Sequence, residues 1–253
     1  MLISVSELSR HWNVRPTGVL HVGAHLAEEN SDYERFNWLP VTWVEAQPSL
    51  IRELISSLNL KHNRVIEAAV WDKNEVKLKL HVASNSMSSS LLELGSHADS
   101  YPEIKYVDEI EVSTKRLDAI IEDSTMPNFV NLDIQGTELQ AIKSLGALLQ
   151  KVSYIFVEVN RGDVYQNCTH VKELDSYLES NEFRRVTTRW YLKQGWGDAL
   201  YIRKDKIISQ SPKQYISSKC ISAIFYSKQF LRMLQIHKIF RVRSYISSPK
   251  AEG

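Results

Sequence analysis

From residue 19 to residue 202, short continuous apolar runs alternate with stretches whose apolar positions recur at helical spacing. The runs at 19–22, 41–44, 65–70, 129–133 and 154–159 are apolar on both faces, as strands covered on two sides are. Residues 76–82 alternate lysine with apolar side chains, the pattern of a half-exposed strand, and 109–113 reads as another. Leu50, Leu54, Ile55 and Leu58 share one helical face in a stretch opened by Pro48 and running to Leu60. Helices are also expected over 28–38, stopped by Pro40, over 137–150 and over 171–180, with a helical turn at 117–121. Ser4 and Glu7 have the spacing of a capping box and predict a helix over 5–12. Strands near 184–188 and 199–202 follow each other without a clear helix, which predicts an antiparallel hairpin at one sheet edge. The alternation as a whole predicts an α/β fold with a doubly wound, mostly parallel sheet. The serine-rich stretch 84–100 interrupts it and is expected to be a loop over the site. No internal repeat is present.

Composition changes this picture little, and charge changes it more. A chain of 253 residues with 43% hydrophobic and 24% charged positions suits one large α/β domain or two small ones. No apolar run is long enough to span a bilayer, and residues 1–7 lack the basic-then-apolar order of a signal peptide. Cys168 and Cys220 have no metal-type spacing, so no metal site is expected and a reducing, cytoplasmic setting fits. From Arg203 onward there are eleven Lys or Arg against two acids, a net +9. The first 202 residues carry 20 basic and 28 acidic groups, a net −8. The organisation expected is an N-terminal helix within 1–16, an acidic body over 17–203, and a basic, helical tail over 204–253. Such a tail suits an anionic membrane surface, with nucleic acid a lesser option for lack of a recognition motif. Apolar and basic residues do not segregate on its helical projection: Leu234 and Ile236 fall on opposite sides. A helical pair packed on the body or on a second subunit is the competing reading.

Candidate chemistry gathers where strands end. Strand 19–22 runs into Gly23, Ala24 and His25, and Glu45 closes the next strand 22 residues after the glycine. A glycine exit into a helix is a nucleotide-type turn, and an acid at that spacing is placed to accept from a ribose diol. The turn lacks the further glycines that hold a pyrophosphate and carries Glu28 and Glu29 instead. S-adenosylmethionine, with a ribose, no phosphate and a sulfonium, fits that balance. The alternative is an ordinary strand–helix turn with a chance acid.

Strand 129–133 ends in Asp133 with Gly136 behind it, and strand 154–159 holds Glu158 in an apolar run. Ligands of open α/β sheets bind at such strand ends. Neighbouring carboxylates could hold a hydroxyl, share a proton or bind a cation, and one can be raised toward the range of a general base. Asp133 as a helix cap and Glu158 as partner of Arg161 are the structural alternatives. Trp190, Tyr191 and Trp196 are candidates to stack on a sugar face, at least one of them being core of the hairpin instead.

Together these segments resemble the FkbM-type methyltransferase family of class I S-adenosylmethionine enzymes. The resemblance rests on His21-Val22-Gly23-Ala24-His25-Leu26-Ala27, on Glu45-Ala46-Gln47-Pro48, on Asp133-Ile134-Gln135-Gly136-Thr137-Glu138 and on Val157-Glu158-Val159. Glu67 to Asp72 stands where the family has its adenine-side segment, and Ser88 to Ser90 fall in its serine loop. The departures are His21 and His25 for Asp and Asn, Ala27 for Gly, Asn131 for Lys and Gln135 for Glu. The resemblance implies a seven-stranded Rossmann-like methyltransferase sheet and O-methylation of a hydroxyl, commonly on a sugar of a glycan or natural product. It implies a cofactor site of Gly23, Ala24, His25, Glu45, Ala46, Ala69, Asp133 and Gln135. Asp133, Glu158 and His25 are the candidates for the base. A saccharide or glycosylated small molecule is then the expected acceptor. Methylation of a nucleic acid, and an inactive glycan- or cofactor-binding module, are the alternatives.

Overall fold

The computed structural model describes residues 1–191 and 194–208. Beyond residue 208, the expected tail lies outside the described residues. In chain order the elements are α1 (Val5–His11), β1 (Val19–Val22), α2 (Asn30–Arg35), β2 (Val41–Glu45), α3 (Pro48–Ser57), β3 (Asn63–Glu67), β4 (Ala69–Val70) and β5 (Lys77–Ala83). Then come α4 (His97–Ser100), β6 (Tyr106–Lys115), α5 (Leu117–Ile120), β7 (Phe129–Leu132), α6 (Glu138–Ser144), β8 (Tyr154–Asn160), α7 (Val171–Ser180), β9 (Phe183–Trp190), β10 (Trp196–Arg203) and α8 (Lys204–Ile208).

Seven strands form one sheet in the order β3-β2-β1-β7-β8-β10-β9. The first five run parallel, and β10 lies antiparallel between β8 and β9, so the terminal hairpin closes one edge. β1 and β7 are buried at every position because helices cover both faces. On one face Leu20, Val22, Val130 and Leu132 pack with Leu139 and Ile142 of α6 and with Leu174 and Leu178 of α7. On the other, Tyr33 of α2 meets Trp38 and Trp43, with ring centroids 5.9 and 5.7 Å apart. Strand order reverses between β1 and β7, which is where an open α/β sheet forms its ligand crevice.

Some expected elements change. The strand expected over 65–70 is two: β3 ends at Glu67, the Ala68 N–H still donates to the Glu45 carbonyl, and β4 then joins a second sheet. That sheet has the order β4-β6-β5, and the alternating lysines of β5 face glutamates of β6, Lys77 to Glu111 and Lys79 to Glu109. The helix expected over 137–150 stops at Ser144, and Gly146 at φ 51° turns the chain into a 3-10 segment. α2 is shorter than expected because Ala27 and Asn37 on either side take positive φ. Ser4 caps α1 by accepting from the Glu7 N–H. The Glu7 carboxylate does not complete the capping box, because it pairs with Arg189 of β9. Within 84–100, Ser86–Ser88 form a 3-10 turn and His97–Ser100 a short helix. None of the helices of the described residues is long and apolar enough to cross a membrane.

Candidate active site

Strand register turns separate sequence candidates into one row. Val22 pairs with Val44 of β2 and Leu132 of β7, Leu132 pairs with Val157 of β8, and Glu158 pairs with Asp198 of β10. One residue beyond the first three pairs, Glu45, Gly23, Asp133 and Glu158 follow each other across the sheet, and Asp198 lies opposite Glu158. Residues level in register share a face. Four carboxylates therefore edge the crevice, with glycine at the strand where order reverses.

Gly23 sits at φ 87°, and a Cβ there would lie 1.9 Å from the carbonyl oxygen of Asp133. Both Gly23 and Ala24 N–H groups donate to the Val44 carbonyl, while the Asp133 N–H donates to that of Val22. The three strand ends are thus laced by backbone, with no room for a side chain at the centre.

To one side lies a cleft between the serine loop and the ends of β1, β2 and β7. Val44, Ala68, Val70 and Leu80 give it an apolar wall, and Gly23, Glu45, Asp133 and Thr137 a polar one. Glu45 is buried and accepts from the His25 N–H at Oε2 (2.9 Å) and the Gln47 N–H at Oε1 (2.8 Å). Each oxygen keeps a lone pair for a ligand donor. Burial pushes its carboxyl up, against those two donors. This donor set fits the ribose and purine of S-adenosylmethionine: apolar walls for the ring, a carboxylate for the diol, and no cradle of glycine N–H groups for phosphate.

The serine loop is latched over the cleft by side chains. His25, at φ 45°, places Nδ1 2.5 Å from Glu28 Oε1 and Nε2 2.7 Å from Ser86 Oγ. Ser90 Oγ donates to the Gln135 carbonyl at 2.8 Å. Ser86, Met87, Ser89, Ser90 and Leu91 line the cleft as a result. Ala46 also lines it. Ala69 does not: Ala68 and Val70 face the cleft, and Ala69 faces a separate surface depression with Glu67. Ala24 does not line it either: its side chain is buried and its N–H donates to the Val44 carbonyl.

A second cavity adjoins the first, with Met87, Asp133 and Gln135 common to both. Gln135, at φ 57°, donates from Nε2 to Asp133 Oδ1 (2.5 Å) and Glu158 Oε2 (3.5 Å), and accepts from the Tyr165 hydroxyl at Oε1 (2.6 Å). The Tyr165 hydroxyl donates to Oε1, which leaves Nε2 to donate to the two carboxyl oxygens. A glutamate there, as the resemblance would have it, would set a third carboxylate against two. Burial, then the charges of Asp133, Glu138 and Asp198, hold the Glu158 carboxyl well above the usual range. Asp133 touches the solvent of the cavity, yet protein crowds it, and that loss of water raises it also. Burial takes Asp198 to about 6 and Glu138 to about 7. Glu138 accepts from the Gly136 N–H (2.9 Å) and so shapes the loop behind Asp133.

Asp198, His97, Tyr101 and Tyr165 also line this cavity, and none of them was singled out by sequence reasoning. Of the three hairpin aromatics, Trp196 lines it with Tyr191 stacked on its ring at 4.9 Å, whereas Trp190 packs on the core beneath the Arg161 guanidinium. His21 is a core residue: it stacks on Trp43 at 4.7 Å with Nδ1 near the Tyr33 hydroxyl (3.3 Å), and burial lowers it to about 4.

A parallel sheet with an antiparallel strand inserted near one edge, carrying a two-part site at its switch point, defines a Rossmann-like methyltransferase. The sequence model of the Methyltransferase FkbM domain matches residues 21–185, more than half of the chain, and the chain belongs to this family. It is thus a methyltransferase whose methyl donor is S-adenosylmethionine. No curated protein sequence matches it. Solved structures with a similar fold include a Streptococcus pneumoniae protein, Sp1610, a putative tRNA (m1A22) methyltransferase in complex with S-adenosyl-L-methionine. It is 11% identical, with 90% of this chain and 86% of that chain covered and a TM-score of 0.46. Another is magnesium protoporphyrin IX methyltransferase from Synechocystis with bound SAH, 10% identical, covering 79% and 80%, TM-score 0.45. A third is the glycopeptide N-methyltransferase MtfA with S-adenosyl-L-homocysteine, 9% identical, covering 79% and 90%, TM-score 0.39.

Proposed function

We propose that this protein O-methylates a hydroxyl of a saccharide, in a glycan or a glycosylated natural product. The observation that carries the reading is the carboxylate row. Its Glu45 end belongs to the cofactor cleft, its Glu158 and Asp198 end to the second cavity, and the two cavities meet at Asp133 and Gln135. When bound, S-adenosylmethionine supplies a methyl group activated on a sulfonium. The protein's part is alignment, together with removal of the hydroxyl proton.

In this reading Glu45 accepts from the ribose hydroxyls, and Val44, Ala68, Val70 and Leu80 enclose the base. Glu158 takes the acceptor's proton at a carboxylate oxygen as that hydroxyl oxygen bonds to the methyl carbon. Its raised carboxyl makes it a stronger base than a solvated glutamate. Asp133 lies at the junction, and Gln135 holds the two carboxylates in fixed relation. His25, with both ring nitrogens engaged, acts as a positioning residue for the serine loop. The +9 sequence from Arg203 onward suits a hold on an anionic membrane surface, near membrane-bound glycan assembly.

Labelled methyl transfer from S-adenosylmethionine into fractionated cell extract tests this. Label is expected in carbohydrate as an alkali-stable ether. Label confined to nucleic acid, or no transfer into carbohydrate, overturns it.

A further inference from the structure

We propose that Asp163, Cys168 and His170 form a zinc site on the loop that walls the second cavity. Such a site is independent of the acceptor proposed above. No pair of cysteines announces it in the sequence, because its ligands are of three kinds, following one another as Asp-x-x-x-x-Cys-x-His.

The three ligand atoms already converge. One from each side chain lies within 4.8 Å of the other two. His170 Nε2 is 2.8 Å from Asp163 Oδ1, and the buried, unbridged Cys168 thiol donates to the Gly162 carbonyl at 3.4 Å. Zinc–sulfur bonds of about 2.3 Å and zinc–nitrogen or zinc–oxygen bonds of about 2.0–2.2 Å set tetrahedral ligands about 3.4–3.6 Å apart. Shifts of about 1 Å reach that spacing, within side-chain rotation for the exposed Asp163 and the partly exposed His170.

The backbone holds the ligands in place before an ion arrives. Asn167, at φ 59°, turns the chain into Cys168, whose N–H donates to the Tyr165 carbonyl. The Asp163 carbonyl accepts from the Ser96 N–H at 2.8 Å, and the Thr169 N–H donates to the Gly136 carbonyl at 3.0 Å. His170 bridges to Asn160 at the end of β8. The ligand segment is thus tied to three other parts of the fold, and binding need order little more.

Ligand chemistry selects the ion. A thiolate beside an imidazole favours zinc over magnesium or calcium, and a carboxylate is a common third ligand. On binding, the thiol proton leaves to solvent, sulfur bonds to the metal, and the Asp163–His170 contact gives way to two metal bonds. Three protein ligands leave a fourth position to water. The other group of three among the described residues, His81, Glu93 and Glu109, suits an ion less. Its Glu109 is paired with Lys79 at 2.6 Å, and His81 turns a different nitrogen to each glutamate.

None of the three ligands lines either cavity, but Val164 and Tyr165 between them line the second. The Tyr165 hydroxyl donates to Gln135, which donates in turn to Asp133 and Glu158. Zinc therefore clips the segment that positions Gln135.

The test titrates zinc alone into the full chain by calorimetry after dialysis against chelator. One zinc per chain is expected, with Kd about 1 μM or tighter. Cys168→Ser and His170→Asn should each weaken binding by about tenfold or more, and Cys220→Ser should leave it unchanged. Cobalt(II) in place of zinc should show a sulfur-to-metal charge-transfer band that Cys168→Ser removes. Because His170 is partly exposed, His170→Asn keeps the fold even where Cys168→Ser does not. Absence of zinc binding, binding that survives both loop variants, or binding lost in Cys220→Ser overturns the site. None of these results bears on methyl transfer to a saccharide.

Discussion

Gly23 and Asp133 approach so closely that a Cβ on the glycine would lie 1.9 Å from the aspartate's carbonyl oxygen. This contact joins β1 to β7 where strand order reverses, and it sets the spacing of everything on the row. Because Gly23 also holds φ 87°, an alanine there meets both a backbone clash and an unfavourable conformation. Gly23→Ala is expected to cost about 3 kcal/mol or more of stability. It should also abolish cofactor binding in whatever protein still folds. Chemical denaturation and calorimetric titration with S-adenosylmethionine check the two parts; a variant of wild-type stability would show that the strands can part without cost.

Glu45 meets two backbone donors and still faces the cleft. Glu45→Gln keeps the shape but sets an amide N–H₂ against the N–H of His25 or Gln47 and removes the charge. A hydrogen bond to a charged group is worth about 1.5–3 kcal/mol, so S-adenosylhomocysteine affinity is expected to fall about 10- to 100-fold. Unchanged affinity in titration calorimetry would remove Glu45 from the cofactor site.

His21 is neutral in the folded protein because burial lowers it from 6.5 to about 4. The unfolded chain takes up a proton below pH 6.5 and the folded chain does not, so this residue's effect on stability worsens as pH falls from 6.5 to 4. The shift corresponds to about 3 kcal/mol across that window. The raised carboxyls of Asp198 and Glu138 act in the opposite sense: they bind protons more readily when folded, and their cost grows as pH rises through about 6 and about 7. Urea unfolding of His21→Asn at pH 4.5 and pH 7.5 separates the two. Relative to wild type, the variant should gain stability at the lower pH; parallel pH curves would mean that His21 titrates normally.

Much of this architecture was legible in the sequence because its strands are short, apolar on both faces and closed by distinctive residues. Gly23, Glu45, Asp133 and Glu158 could each be found as the polar end of such a run. What the sequence does not contain is register. That Glu45, Gly23, Asp133 and Glu158 fall level depends on pairing between strands far apart in the chain, such as Val22 with Leu132. Asp198 was missed for a related reason: β10 runs antiparallel, so its start, not its end, lies at the crevice. The acid standing just before the apolar run Ala199 to Ile202 was the available signal. Ala69 was misplaced by one position because β3 and β4 read as one strand, and the break between them turns Ala68 and Val70 to the cleft. The histidines that flank Gly23 have opposite fates that spacing could not tell apart. His21 faces the aromatic layer under the sheet, while His25 leaves the turn at positive φ and reaches the serine loop.

The claim that the row joins a cofactor half to a proton-accepting half is tested most directly by the methyl-transfer rate of Glu158→Gln, at saturating S-adenosylmethionine and neutral pH, with the carbohydrate fraction as acceptor. Glutamine keeps the size of the side chain and removes a charge crowded by Asp133 and Asp198, so folding should not suffer. Loss of a general base predicts a rate lower by about 10²- to 10⁴-fold. A rate within twofold of wild type would contradict the assignment of Glu158 as the base.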